Sequence, residues 1–275
     1  MNMKTNTLRT LLATGSIALL SVFALLPFYI MIIMGTHQNE DLFTKIVLTP
    51  GNYLLENLKT VSESRFDLAY MNSIIVSVTS TVASVFVSAF AGYAFAKHEF
   101  KYKNKIFAGI LLTMMIPGQL GLVAYVIEMR YLGLSGTLLP LVLPFVANAF
   151  GVYWMTQFMK GAIPTEVLES ARIDGCSDIG IFFQIVLSFI YPAITTLSLL
   201  VFLWSWNNYL LPLIIINNPD LFTIPLGITS LGRAYRTDLA AQILGLTIGT
   251  LPVLILFAVG SKSFIRGLTA GSVKG

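Results

Sequence analysis

Six apolar stretches divide this sequence: Leu11–Met34, Tyr70–Ala96, Ile106–Met129, Leu138–Met159, Ile185–Ile216 and Ala241–Phe264. Each is long enough to cross a bilayer. Inside hydrocarbon no water is available to the backbone, so a spanning segment must be a helix or a strand of a closed barrel. The stretches show no period-two alternation, which selects helices. Charged residues make up 11% of the chain, against about 25% in an ordinary soluble domain. The expectation is an all-α membrane protein with six transmembrane helices in the cytoplasmic membrane.

Lys4 and Arg9 precede the first stretch, as they would precede a secretory signal. That apolar run is longer than the roughly 7–15 residues of a signal, and no Ala-x-Ala site follows it. It is expected to be an uncleaved first span. Orientation follows from the loops. Lys97, Lys101, Lys103 and Lys105 follow the second stretch, Lys160 and Arg172 the fourth, and Lys262, Arg266 and Lys274 the last. The loops on the other side mix both signs. By the positive-inside rule the basic side, with both termini, faces the cytoplasm. The net charge of +4 is explained by that rule, and no basic run interleaved with aromatics points to nucleic acid.

The single cysteine, Cys176, excludes an internal disulfide framework and a cysteine metal cluster within the chain. His37 and His98 fall on opposite sides of the predicted membrane. No metal-ligand spacing, nucleophile elbow or phosphate-binding glycine loop with lysine occurs, so no catalytic residue is assigned. Pro117 and Gly118 interrupt the third stretch, Pro192 and Pro212 the fifth and Pro252 the sixth. These are either packing kinks or hinges. The fifth is longer than one crossing needs, so part of it is expected outside the hydrocarbon or kinked.

Between the fourth and fifth stretches the sequence runs from Gly161 to Gly180. Pro164 suits a first helical turn, Glu166 and Glu169 complement the positive end of a helix dipole, and Gly175 suits a left-handed stop. Val167, Leu168 and Ala171 share one face, with Glu169 and Arg172 on another. Ser177 is placed to cap the next helix. Such an amphipathic helix lies on lipid headgroups or fits a protein groove, and its acidic start favours the groove.

Glu169-Ser-Ala-Arg-Ile-Asp-Gly175, followed by Phe182, Ile185 and Pro192, resembles the "EAA" loop of the permease subunits of binding-protein-dependent, ATP-cassette importers. Met115-Ile-Pro-Gly-Gln119, Asn148-Ala-Phe-Gly151, Trp204-Ser-Trp-Asn-Asn208 and Gly271-Ser-Val-Lys-Gly275 extend the resemblance to the carbohydrate branch, where the chain is similar to the second permease of the maltose importer. The resemblance implies a type I (MetI-like) core over residues 70–270, with a coupling loop at 160–184. A first helix and external loop would occupy 1–69 and a tail 271–275. It implies that Pro164, Glu166, Val167, Leu168, Glu169, Ala171, Arg172, Asp174 and Gly175 dock in a cleft of an ATPase subunit. Ser170 and Cys176 replace the family's alanines, and Ser188 replaces a common proline.

The implied partners are a second homologous permease, two ATP-binding-cassette subunits carrying the ATP and Mg, an extracytoplasmic sugar-binding protein, and the lipid bilayer. The chain itself binds no cofactor. The loop from Asn218 to Arg236, including Asp220, Arg233 and Tyr235, would touch the binding protein or be an ordinary solvated loop. A neutral sugar needs neutral hydrogen-bonding groups and aromatic faces. Asn148, Gln157, Trp204, Trp206, Asn207, Asn208 and Tyr209 supply these, and the same aromatic cluster also suits an interfacial belt. The alternatives are an importer of a non-sugar solute, an ion-coupled carrier and a membrane scaffold. A carrier would place ionisable residues inside the bundle, and only Glu128 and Arg130 come near that.

Overall fold

A computed structural model describes residues 2–233 and 236–270. Helix α1 (Asn2–Met34) leads to a polar segment with the short α2 (Asp41–Thr44) and α3 (Leu54–Glu63). Then come α4 (Phe66–Lys97), α5 (Lys103–Thr113), a 3₁₀ turn at Gly118–Gly121, α6 (Leu122–Tyr131), α7 (Leu139–Val146) and α8 (Ala149–Ala162). Past α8 lie α9 (Thr165–Ile173), α10 (Asp178–Ile181), a π-helical turn at Phe182–Val186 and α11 (Leu187–Trp206). Finally there are α12 (Leu210–Ile215), a 3₁₀ turn at Pro219–Leu221, α13 (Ile224–Thr229), the two-residue strands β1 (Gly232–Arg233) and β2 (Arg236–Thr237), and α14 (Leu239–Ala270).

Among the described residues five helical segments are long and apolar enough to cross a membrane: Thr10–Met34, Phe66–Lys97, Leu139–Ala162, Asp178–Trp206 and Leu239–Ser261. A sixth exists only if Lys103–Thr113 and Gly118–Tyr131, bent by 85°, count as one. The interruption expected at Pro117 and Gly118 is therefore a sharp break in the third span. Pro117 is extended (φ −59°, ψ 121°), and a proline can neither donate a helical bond nor leave the residue before it comfortably helical. The fifth span is shifted as well. It begins at Asp178 rather than Ile185 and ends at Trp206, with Pro212 in the separate α12.

The chain forms two compact units, one from residues 1–67 with 227–251 and one from 68–226 with 252–275. In the first, the polar segment after α1 is held by its own side chains. Asn57 Nδ2 donates to the carbonyls of Gly35 and His37, both at 2.9 Å, and Thr36 Oγ1 accepts from Gly51 N at 2.8 Å. His37 Nε2 bonds Thr49 O at 2.8 Å while its Nδ1 lies 3.2 Å from Asp41 Oδ2. In contrast, Leu12, Leu19, Phe23 and Leu25 on α1 are exposed, as a lipid-facing helix requires.

The second unit is built on α4, α8 and α11. Ser73, Ser77, Ser80, Ser84 and Ser88 recur at helical spacing along α4 and are all buried. Their small size admits a neighbouring backbone, the usual route to close helix packing in lipid. A Cβ on Gly151 of α8 would collide with the Ser88 side chain, and one on Gly92 of α4 would collide with Met155. The main apolar core runs from Leu197 and Ile190 on α11 through Met155 and Met159 on α8 to Leu168 and Ala171 on α9. A second cluster joins Met129, Leu141, Leu211 and Ile215.

Candidate functional site

The loop between α8 and α11 is a helix whose two ends are fixed by its own sequence. Pro164 has φ −63° and ψ 138°, so it precedes α9 as the N-cap rather than filling its first turn, which corrects the expectation from sequence. With no N–H to satisfy, proline ends the extended segment, and Thr165 starts the helix. At the other end Gly175 has φ +82°. Cys176 N donates to Ala171 O at 3.0 Å and Gly175 N to Arg172 O at 3.1 Å, the paired bonds of a Schellman stop that needs a left-handed residue. Ser177 Oγ then accepts from Gly180 N at 3.2 Å and caps α10.

The apolar face of α9 is already occupied within the chain. Leu168 is 1% and Ala171 6% exposed, packed with Ile163, Ile181 and Phe182 in the main core, and Val167 is half-buried. Leu168 and Ala171 are thus covered by the chain's own core. They weld the loop helix to the core. Glu166, Glu169, Ser170 and Arg172 remain exposed, together with Asp174 and the free Cys176. Ile173 is 86% exposed beside them. Sequence reasoning missed Ile173, although its spacing of four from Glu169 puts it on the outer face. Arg172 Nη2 and Nε reach Asp178 Oδ1 at 3.2 and 3.3 Å across the Gly175 turn.

The entry to α9 is also fastened from outside. Lys97, the last residue of α4, donates from Nζ to Ile163 O at 2.6 Å. A charged donor on an end-of-helix carbonyl is among the stronger hydrogen bonds. Lysine at this position reads from sequence as a topogenic charge only.

The polar candidates for a solute path divide. Asn148 is a cap: its Oδ1 accepts from Gly151 N at 3.2 Å and its Nδ2 approaches Ser84 Oγ at 3.4 Å, so it closes the break between α7 and α8. Trp206 is buried, edge-on to Tyr70 and stacked on Phe202. Trp204 meets Phe150 and keeps one side exposed, as do Gln157 and Tyr209. Asn207 Nδ2 turns back to Leu203 O at 2.9 Å. Asn208 of this set lines a cavity of about 670 Å³.

In the loop after α12, Asn218 Oδ1 accepts from Asp220 N at 3.0 Å, and both residues are exposed. Asn72 of α4 donates to the carbonyls of Asp220 (2.8 Å) and Phe222 (3.0 Å), and Ser73 Oγ accepts from Ile224 N at 2.7 Å. Arg233 and Arg236 are paired in the β1–β2 register. Tyr235 and the tail Gly271–Gly275 lie outside the described residues.

Long apolar helices, close small-residue packing and an exposed, charged loop helix joined to the core define a multi-pass membrane transport subunit. Residues 3–269 match the model of the binding-protein-dependent transport system inner membrane component family, and the chain belongs to that family. It is a transport component of the membrane and not an enzyme family. The chain is 30% identical over 280 residues, with all of both chains covered, to the arabinooligosaccharides transport system permease AraQ of Halalkalibacterium halodurans. It is 32% identical over 258 residues to the lactose transport system permease LacG of Rhizobium radiobacter, covering 94% of this chain and 92% of that one. A bacterial transporter importing the acidic polysaccharide alginate shares the fold, with a TM-score of 0.77 at 21% identity over 96% of this chain and 99% of that one.

Proposed function

We propose that this chain is one of two permease subunits of an ATP-driven importer for a sugar or small oligosaccharide. The observation that carries the reading is the α9 helix, sealed to the core by Leu168 and Ala171 and turning Glu166, Glu169 and Ile173 outward. A push on that face moves α8 and α11 with it, because a close-packed core transmits displacement rather than absorbing it.

In this reading two ATP-binding-cassette subunits, which hold ATP and Mg, grip the outer face of α9. Their closure rocks the core so that the path opens outward, and hydrolysis resets it. The Lys and Arg loops support a cytoplasmic placement of α9 and of both termini. The loop around Asn218 and Asp220, with Arg233, Tyr235 and Arg236, would then face the external binding protein. The sugar assignment is supported by relatives that carry arabinooligosaccharides and lactose.

Uptake of radiolabelled arabinotriose, lactose and maltotriose by the host, with and without this gene, tests the proposal. Loss of at least one uptake on deletion and its return on complementation is expected. Unchanged uptake of all three would refute the sugar reading. Nucleotide hydrolysis by the purified chain alone would refute its role as a passive receiver of force.

A further inference from the structure

The break in the third span opens a cavity of about 670 Å³ in the second unit, within the range of small-molecule sites. Its polar lining comes from distant parts of the sequence. Gln119 stands in the 3₁₀ turn, Glu128 on α6, and Asn208 between α11 and α12. Asn208 Oδ1 accepts only a long 3.4 Å bond from Leu211 N, which leaves its NH₂ group to donate. Leu122, Met129 and Leu211 supply an apolar floor. Tyr125 Oη is spent on Pro140 O at 2.7 Å.

The geometry points to a carbohydrate subsite in this cavity, selective for neutral rather than acidic sugars. A carboxylate accepts two hydroxyls of a vicinal diol, and the two amides both donate and accept. The apolar floor suits the C–H face of a pyranose or furanose ring. The one charged lining group is Glu128, and no Lys, Arg or His stands with it. A uronate brought there would meet a like charge on Glu128. The fold neighbour imports an acidic polysaccharide, so the shared fold leaves charge preference to residues such as these.

The inference rests on the sugar-importer reading, and the experiment separates the two. The tagged chain is purified from its host with its partners and placed in nanodiscs. It is irradiated with diazirine-tagged arabinotriose and peptide-mapped. Adducts are expected on residues 118–132 and 207–211, displaced by excess arabinotriose but not by an equal concentration of trimannuronate. Glu128→Gln and Asn208→Ala should each reduce labelling about tenfold or more, the scale of a lost hydrogen bond to a charged or desolvated group. Glu128→Gln should also let trimannuronate compete. Copurified ATPase verifies that each variant assembles, and Glu128→Asp, which keeps the charge, should retain most labelling should the glutamine variant fail to assemble. Labelling confined to other segments, equal competition by the uronate in the wild type, or undiminished labelling of an assembled variant would overturn the subsite. Absence of neutral-oligosaccharide uptake by the wild-type host would instead remove the importer reading.

Discussion

The loop around α9 and the loop at residues 217–224 are both tied to α4, near its two ends, and they are built in opposite ways. The first has its own start and stop in Pro164 and Gly175 and buries an apolar face, to which α4 adds the packing of Ala89 and Tyr93 and the Lys97 bond to Ile163 O. The second buries little of its own polar start, and Asn72 and Ser73 of α4 supply three bonds to its backbone. From Asn72 to Lys97 is about 37 Å along a helix. One rigid element thus holds a self-structured loop at one end and a dependent loop at the other. The self-structured loop suits receiving a force, and the dependent loop suits reporting the position of α4.

The widest gap between the two should come from core truncation. Leu168→Ala is expected to cost about 2–5 kcal/mol and abolish uptake, whereas Asn218→Ala should cost about 1 kcal/mol. Thermal unfolding of the purified complex and uptake rates measure both. Equal losses would erase the distinction.

Next come the ties to α4. Lys97→Met frees a carbonyl and should cost about 1–3 kcal/mol, with sugar moved per ATP hydrolysed falling while the binding protein still docks. Asn72→Leu should do the reverse, weakening stimulation by the binding protein while the ATPase still copurifies. Identical phenotypes would show that the two loops are not separately anchored. Smaller still is Arg172→Ala. Its pair with Asp178 is half-exposed, so the change should cost under about 1 kcal/mol and vanish in high salt; a larger loss in unfolding measurements would mean that the Gly175 turn is not self-sufficient.

The smallest effect lies in the polar segment after α1. The carboxyl of Asp41 is held below its ordinary value of 3.8, chiefly by the hydrogen bond from His37 and then by Lys45. A carboxylate lowered in this way stabilises the fold above its unfolded value and loses that contribution as pH falls through its lower folded value. Hydrogen exchange over residues 37–49 should therefore quicken below about pH 4, and Asp41→Asn should remove that pH step without altering α9.

The stop of α9 was legible in the sequence because local chemistry decides it, whereas its start lay one residue past the proline. Gly175 could be read as the stop and Ser177 as the next cap, since left-handed backbone and side-chain capping depend on neighbours in the chain. The facing of α9 was not legible. An apolar stripe of Val167, Leu168 and Ala171 fits a partner's groove as well as the protein's own core, and only tertiary packing chooses. The apolar runs located the spans, and Pro117 and Gly118 marked an interruption in the third but not its 85° bend, because hydropathy is blind to bending. Glu128 and Asn208 meet at one cavity from positions far apart in sequence, and no spacing rule joins them. Lys97 read as a topogenic charge and proved also to be a hydrogen-bond donor to Ile163.

The central claim is that the outer face of α9 receives the ATPase. The single cysteine of the chain, exposed at Cys176 beside that face, allows a direct measurement. A short thiol-to-amine crosslinker applied to the native complex should join Cys176 to the ATP-binding-cassette subunit. Glu169→Lys should reduce that product and uptake together, while the level of the chain in the membrane stays unchanged. Absence of the crosslink in an actively transporting complex, or full uptake by Glu169→Lys, would contradict the account.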